Sequence, residues 1–277
     1  MALDTSGSGG LPVASRRRRA RFARWRPPVA LAAVLLGLVA GQAVAFAVMA
    51  AAGSPSGLGV GIGFVVADLV ILAIVVAFAR RGAERLTAGT LGIRRTPFWP
   101  ALGWSAAIFA AVGGAEGLWV AFVAGPEGGG GGSGGIGEVA SPGGALSVAL
   151  IIAGLAITAP IVEELAFRGY LFPALTRWRG PWIAAIVTAG LFGAAHVLVY
   201  PPAFLPALAF FGFGACLLFW FTGSLLPAVG LHALNNGIAA GVMFGWSWQI
   251  PLLGFGAAIV AIVLLMPLAR ERAPQMA

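Results

Sequence analysis

The chain has 277 residues, of which 60% are hydrophobic and 9% are charged. Because a soluble domain averages about 25% charged residues, this composition excludes a water-soluble globular protein. The formal net charge of +8 rests on 17 basic residues, all of them arginine, and seven of these lie between residues 16 and 26, directly before an apolar run. That placement indicates an anchor against anionic membrane lipid rather than a nucleic-acid partner.

Eight apolar stretches of about 20 residues predict an all-α fold, a polytopic bundle of transmembrane helices. Residues 1–27 are expected to form a disordered, basic cytoplasmic tail, and the Gly-rich segment 125–144 a flexible loop. The N-terminal spans would occupy 28–124, a polar core region 145–244, and the last span with a cytoplasmic tail 245–277. The spans are predicted at 28–52, 58–79, 100–124, 145–167, 181–199, 203–222, 225–244 and 249–268.

Arginine placement predicts the orientation of the spans. If the N-terminus is cytoplasmic, eight spans return the C-terminus to the cytoplasm, and 16 of the 17 arginines then lie in cytoplasmic segments. The remaining one, Arg168, lies within a span, and the opposite side holds Glu127 and Glu138. This distribution follows the positive-inside rule, so both termini are predicted to be cytoplasmic. The absence of lysine suggests GC-rich coding and hence a bacterial source. With the predicted spans, the expected location is a bacterial plasma membrane, which the chain crosses several times.

Adjacent carboxyl groups interrupt the fourth predicted span at Glu163 and Glu164. A charged side chain near the bilayer centre costs about 2.5–3.5 kcal/mol on insertion scales, so two in succession indicate a function. Arg168 follows Glu164 by four residues and would lie on the same face of a helix. Two further carboxyl groups, Asp68 and Glu116, are isolated in the second and third spans, and a structural role is the simpler interpretation of each.

Both histidines of the chain also lie in apolar spans. Phe192 precedes His196 by four residues, and His232 precedes Asn236 by the same spacing, so each pair would share one helix face. A carboxylate in a low-dielectric site can act as a general base, and Glu163 is expected to take a proton from water with help from His196. Asn236 and a histidine can donate hydrogen bonds to the oxyanion that forms on a scissile carbonyl.

The same side chains suggest a metal-based alternative. Glu164, His196 and His232 are three potential ligands of a divalent metal such as zinc, with an open position for water. The sequence has no HExxH motif and no serine or cysteine beside the histidines as a nucleophile, so water is the expected nucleophile under either alternative. The choice between one metal ion and none stays open. Helix lengths also place His232, nine residues after Gly223, nearer the membrane surface than His196.

Three motifs resemble those of a known family, the type II CAAX prenyl endopeptidases, also called the CAAX protease and bacteriocin-processing family. EELAFR, from Glu163, is similar to its EExxxR motif, FGAAH, ending at His196, to FxxxH, and HALNN, from His232, to HxxxN. The resemblance covers roughly residues 145–244. It implies a hydrolase with an intramembrane peptidase core in that segment, which cleaves a membrane-associated protein or peptide as a metallo- or glutamate-type endopeptidase.

The resemblance also implies a role for each motif residue. It assigns the activation of water to Glu163 and His196, with Glu164 assisting, and the stabilisation of the oxyanion to His232 and Asn236.

Supporting roles fall to Arg168, which would hold the carboxylates in place, and to Phe192. Two alternatives compete with the enzyme: a proton- or ion-coupled transporter, and a non-catalytic scaffold in which buried polar pairs join helices. A transporter would be expected to show inverted repeats, and none is evident in the sequence. Three motifs in separate spans favour the peptidase.

Overall fold

The computed structural model describes residues 25–53, 56–83, 85–124 and 144–273. The predicted tail up to residue 24 and the Gly-rich loop at 125–143 lie outside the described residues. Within the described ranges no β-strand forms, and the all-α prediction is confirmed. The helices are α1 (Pro27–Ala51), α2 (Gly57–Gly82), α3 (Phe98–Trp119), α4 (Ala145–Arg179), α5 (Pro181–Ala194), α6 (Leu205–Thr222), α7 (Leu226–Met243) and α8 (Gln249–Leu265).

Six of these helices, α1 to α4, α6 and α8, are long and apolar enough to cross a membrane. Helix α5 is only 14 residues long, and α7 contains His232, Asn235 and Asn236, which lower its hydropathy. All eight helices lie where the apolar stretches predicted them. The crossing of the membrane by α5 and α7, and the cytoplasmic position of both termini, stay predictions.

Reporter fusions test the predicted orientation. A reporter at Gly130, in the Gly-rich segment, is expected on the side opposite to a reporter at Ala277, because five spans separate the two positions. A phosphatase active only outside the cytoplasm and a fluorescent protein that matures only inside it provide the two readouts. Finding both fusions on the same side would contradict the arrangement of eight spans.

Helix α4 is the central element of the bundle and contacts α1, α2, α5, α6, α7 and α8. Two π-helical turns interrupt its α-helical path, Ala153–Thr158 and Leu165–Leu171. Pro160 follows the first turn by two residues, and Pro173 follows the second by two. Proline has no N–H group and its ring clashes with the carbonyl four residues earlier. A widened turn before each proline lets α4 continue to Arg179.

The turn between α6 and α7 is buried inside the molecule. Ser224 Oγ donates to the carbonyl oxygen of Arg94 at 2.6 Å, and Leu225 N donates to that of Gly92 at 2.8 Å. Both Ser224 and Leu225 have an exposed fraction of 0%. Helix α7 therefore begins inside the molecule, against the segment that precedes α3. Because α7 begins inside the bundle, His232 lies beside the carboxyl groups of α4. The position nearer the membrane surface that helix lengths alone predicted for His232 does not separate it from them.

Candidate active site

Glu164 is the centre of a buried ion-paired cluster. Its Oε1 accepts a hydrogen bond from Arg168 Nη1 at 2.8 Å and lies 2.9 Å from His232 Nδ1. Glu164 and Arg168 have side chains that are 0% exposed, and His232 is 3% exposed as a residue. Arg168 can only donate, so Glu164 Oε1 is an acceptor, and His232 Nδ1 is placed to donate its hydrogen to the same oxygen. The first and third motifs thus meet at one carboxylate oxygen.

Arg168 is held on several sides besides its pair with Glu164. Its Nη2 donates to the carbonyl oxygen of Gly212 on α6 at 3.0 Å. The guanidinium lies over the Phe192 ring of α5, 4.5 Å from the ring centroid, and 5.9 Å from the centroid of Phe167. Cation–π contacts of this kind stabilise a desolvated arginine. The second motif therefore contacts the cluster through the face of the Phe192 ring.

The two adjacent glutamates have different environments. The side chain of Glu163 is 19% exposed, whereas that of Glu164 is 0% exposed. Glu163 Oε2 lies 3.8 Å from His232 Nε2 and has no hydrogen-bond partner among the described residues. Glu163 is therefore the partly exposed member of the pair, although its Oε2 is itself buried, and Glu164 is fully buried.

His196 extends the site from α5. Its Nδ1 lies 2.8 Å from the carbonyl oxygen of Phe192, an acceptor, so Nδ1 carries the hydrogen and Nε2 is left free. The Phe192 ring centroid lies 5.0 Å from that of His196 and 5.7 Å from that of His232, so both histidines border one ring. The ring centroids of His196 and Tyr200 are 6.0 Å apart. Burial raises the pKa of the Tyr200 phenol, and the negative charge of Glu163 raises that pKa further, so the field of Glu163 reaches this end of the site.

Asn236 is positioned by a backbone carbonyl of α4. Its Nδ2 donates to the carbonyl oxygen of Leu155 at 2.9 Å. In this π-helical turn the N–H of Ala159 bonds to the carbonyl of Gly154, so the same register would pair Leu155 with Pro160. Because proline has no N–H, the Leu155 carbonyl is left for Asn236.

The carbonyls of Leu155 and Gly212 are parts of the site that the sequence analysis missed. Their side chains carry no signal, because both act through the backbone. For Leu155 the position of Pro160 is the available clue, since a proline in a helix frees a carbonyl one turn earlier. The structure thus brings together Glu163, Glu164, Arg168 and His232, and it adds backbone acceptors from α4 and α6.

The predicted metal ligands do not form a metal site in the part of the chain that the structure describes. No group of three or more His, Cys, Asp or Glu side chains there is placed to hold a metal ion. Glu164 Oε1 and His232 Nδ1 are engaged with each other, and His196 Nδ1 is engaged with Phe192. In this arrangement Glu164, His196 and His232 do not converge on one metal position, and the choice between one metal ion and none stays open.

Comparison with known proteins agrees with the motifs. Residues 145–238, about a third of the chain, match the family model described as Type II CAAX prenyl endopeptidase Rce1-like. No curated protein and no solved structure gives a significant match to the chain. The matched segment begins with α4, ends within α7 and includes Glu163, His196 and Asn236. The family supports a hydrolase that acts as a protease in a multi-pass membrane protein. The resemblance to the type II CAAX prenyl endopeptidases is therefore confirmed for the segment that carries all three motifs.

Proposed function

We propose that this chain is an intramembrane endopeptidase that hydrolyses a peptide bond with a water molecule activated by Glu163. One observation carries the proposal: of the two adjacent carboxyl groups, Glu164 is fully buried and paired with Arg168 and His232, whereas Glu163 is partly exposed and lies 3.8 Å from His232. The first arrangement suits a positioning group and the second suits a general base. The family match to CAAX prenyl endopeptidases supports the reaction class.

The attacking water is proposed to bind beside Glu163. Glu163 Oε2 lies 3.8 Å from His232 Nε2 and is buried, so the water approaches Glu163 from the exposed part of its side chain. In the proposed reaction Glu163 accepts a proton from this water as its oxygen attacks the carbonyl carbon. His196 contributes its free Nε2 as a second acceptor that orients the water. When the carbon–nitrogen bond breaks, Glu163 returns the proton to the departing amine.

Asn236 and His232 are proposed to stabilise the oxyanion. The Leu155 carbonyl holds one N–H of the Asn236 amide, and the second N–H is available to donate to the substrate oxygen. His232 already uses its Nδ1–H on Glu164, so its Nε2 donates only when the ring is an imidazolium.

The proposed substrate is a membrane-associated protein or peptide, with membrane lipid as the surrounding partner. A site surrounded by apolar helices is reached most directly by a chain that is itself in or on the membrane. We place the enzyme in a bacterial plasma membrane, as composition predicts, and the glutamate-type reaction as written uses no metal.

Cleavage in detergent tests this function. The purified full chain is mixed with a library of membrane peptides, without any ion gradient, and products are identified by mass spectrometry. We expect cleavage that persists when a chelator or an ionophore is added, because neither a metal nor a gradient enters the proposed steps. Glu116→Gln, which removes a carboxyl group on α3 outside the site, is the matched control and should cleave at the wild-type rate. A folded chain that cleaves no peptide in the library would contradict the proposal.

A further inference from the structure

Asp68 lies on α2, outside the segment that matches the family, and it contacts α4, the helix that carries Glu163 and Glu164. The residue is 6% exposed, and its Oδ2 lies 2.5 Å from Oγ1 of Thr158 on α4. Thr158 is the last residue of the first π-helical turn and precedes Glu163 by five positions. The two helices approach closely here, since a Cβ atom on Gly154 would lie 2.7 Å from the Cβ of Phe64. Asp68 therefore touches the segment of α4 that shapes the site.

A count of hydrogens indicates the state of Asp68. The hydroxyl group of Thr158 has one hydrogen but faces two oxygens, Asp68 Oδ2 at 2.5 Å and the Gly154 carbonyl at 3.2 Å. The hydroxyl group therefore donates either to Asp68 or to the carbonyl; when it donates to the carbonyl, which can only accept, Asp68 donates the hydrogen of the short contact. An ionised Asp68 would instead be a buried charge in an apolar bundle, which is a costly arrangement.

We propose that Asp68 is a positioning residue, a neutral carboxylic acid that donates to Thr158 and thereby fixes the π-helical turn on which the site depends. The chain of hydrogen bonds runs from Asp68 through Thr158 to the carbonyl of Gly154. The next carbonyl, that of Leu155, holds Asn236. Asp68 thus acts on the oxyanion donor through the backbone of α4 and does not touch the substrate. This inference rests on the proposed peptidase function.

Paired substitutions separate the donor function of Asp68 from its bulk. Asp68→Asn keeps a donor for Thr158 and is expected to retain the wild-type kcat. Asp68→Leu has similar size but no donor, and its kcat is expected to fall by about 10²-fold through misplacement of Asn236, with KM unchanged. Thr158→Ser and Thr158→Val should repeat this contrast from the other side of the bond. If Asp68→Asn is as slow as Asp68→Leu, an ionised carboxylate is needed and the inference is overturned.

Infrared spectroscopy tests the same state without relying on activity. The full chain in detergent at neutral pH should show the carbonyl stretch of a protonated carboxylic acid that disappears in Asp68→Asn and shifts in Thr158→Val. Glu116→Gln is the control, because it removes a carboxyl group from another apolar helix and must leave the Asp68 band in place. A wild-type spectrum that equals that of Asp68→Asn in this region overturns the inference. A chain with this band but no peptidase activity would refute the proposed function instead.

Discussion

Glu163→Gln is expected to lower kcat by about 10²–10⁴-fold, the usual contribution of a general base, while the protein inserts and folds as the wild type does. Glutamine keeps the size of the side chain and one hydrogen-bonding oxygen, but it cannot accept the proton of the attacking water. Folding should not suffer, because a neutral amide costs less to bury than a carboxylate. Turnover of a cleaved membrane peptide gives kcat, and thermal unfolding in detergent gives the stability.

The neighbouring glutamate provides the matched comparison for this result. Glu164→Gln removes the charge that pairs with Arg168 and orients His232, both within 2.9 Å of Oε1, so it should reduce stability as well as activity. The two substitutions are chemically identical and adjacent in sequence, and only the environment differs. Near wild-type turnover by Glu163→Gln would remove this residue from the chemistry and move the function of general base to Glu164.

Arg168→Met is expected to destabilise the protein by about 3–5 kcal/mol, the cost of breaking a buried ion pair from one side. Methionine fills much of the volume beside Phe192 but leaves Glu164 charged and 0% exposed. It also removes the donor to the Gly212 carbonyl. Activity should fall together with stability, because His232 loses a fixed carboxylate. Unfolding in a denaturant series in detergent measures the free energy.

Two further variants show whether the effect of Arg168→Met comes from the ion pair. Arg80→Met changes an exposed arginine at the end of α2 and should shift the free energy of unfolding by no more than about 0.5 kcal/mol. The double variant Arg168→Met with Glu164→Gln removes both charges and should be more stable than Arg168→Met alone. If Arg168→Met unfolds at the same denaturant concentration as Arg80→Met, the buried pair does not stabilise the fold.

The positions of the helices could be predicted because prolines and glycines separate the apolar stretches. The span predicted at 225–244 is observed as Leu226–Met243. Helix α4 extends well beyond the predicted end at 167, because the charge of Arg168 is neutralised inside the bundle and does not mark a membrane boundary. Helix α5 ends at Ala194 instead of 199, and hydrogen-bonded turns fill the interval up to Tyr200.

The composition of the site could be predicted from its motifs, but its long-range contacts could not. The bond between Glu164 and Arg168 follows from their spacing of four residues within one helix. The bond between Glu164 and His232 joins residues that are 68 positions apart, and it depends on the buried turn that Ser224 anchors. The hydrophobic pattern of α7 does not show how far inside the bundle that helix begins. The choice between one metal ion and none could not be predicted for the same reason, because spacing does not show how the side chains are oriented.

The two π-helical turns of α4 also change the angular phase of that helix. Each turn holds about one residue more than an α-helical turn, and one residue corresponds to a rotation of about 100°. Together the two turns rotate the last α-helical segment by about 200° about the helix axis, compared with its position in an uninterrupted α-helix. The segment Ala145–Ile152 accordingly packs against α2, whereas Phe172–Arg179 packs against α5 and α1. A single helix can therefore present nearly opposite sides at its two ends, with the carboxyl groups of the site between the two changes of phase.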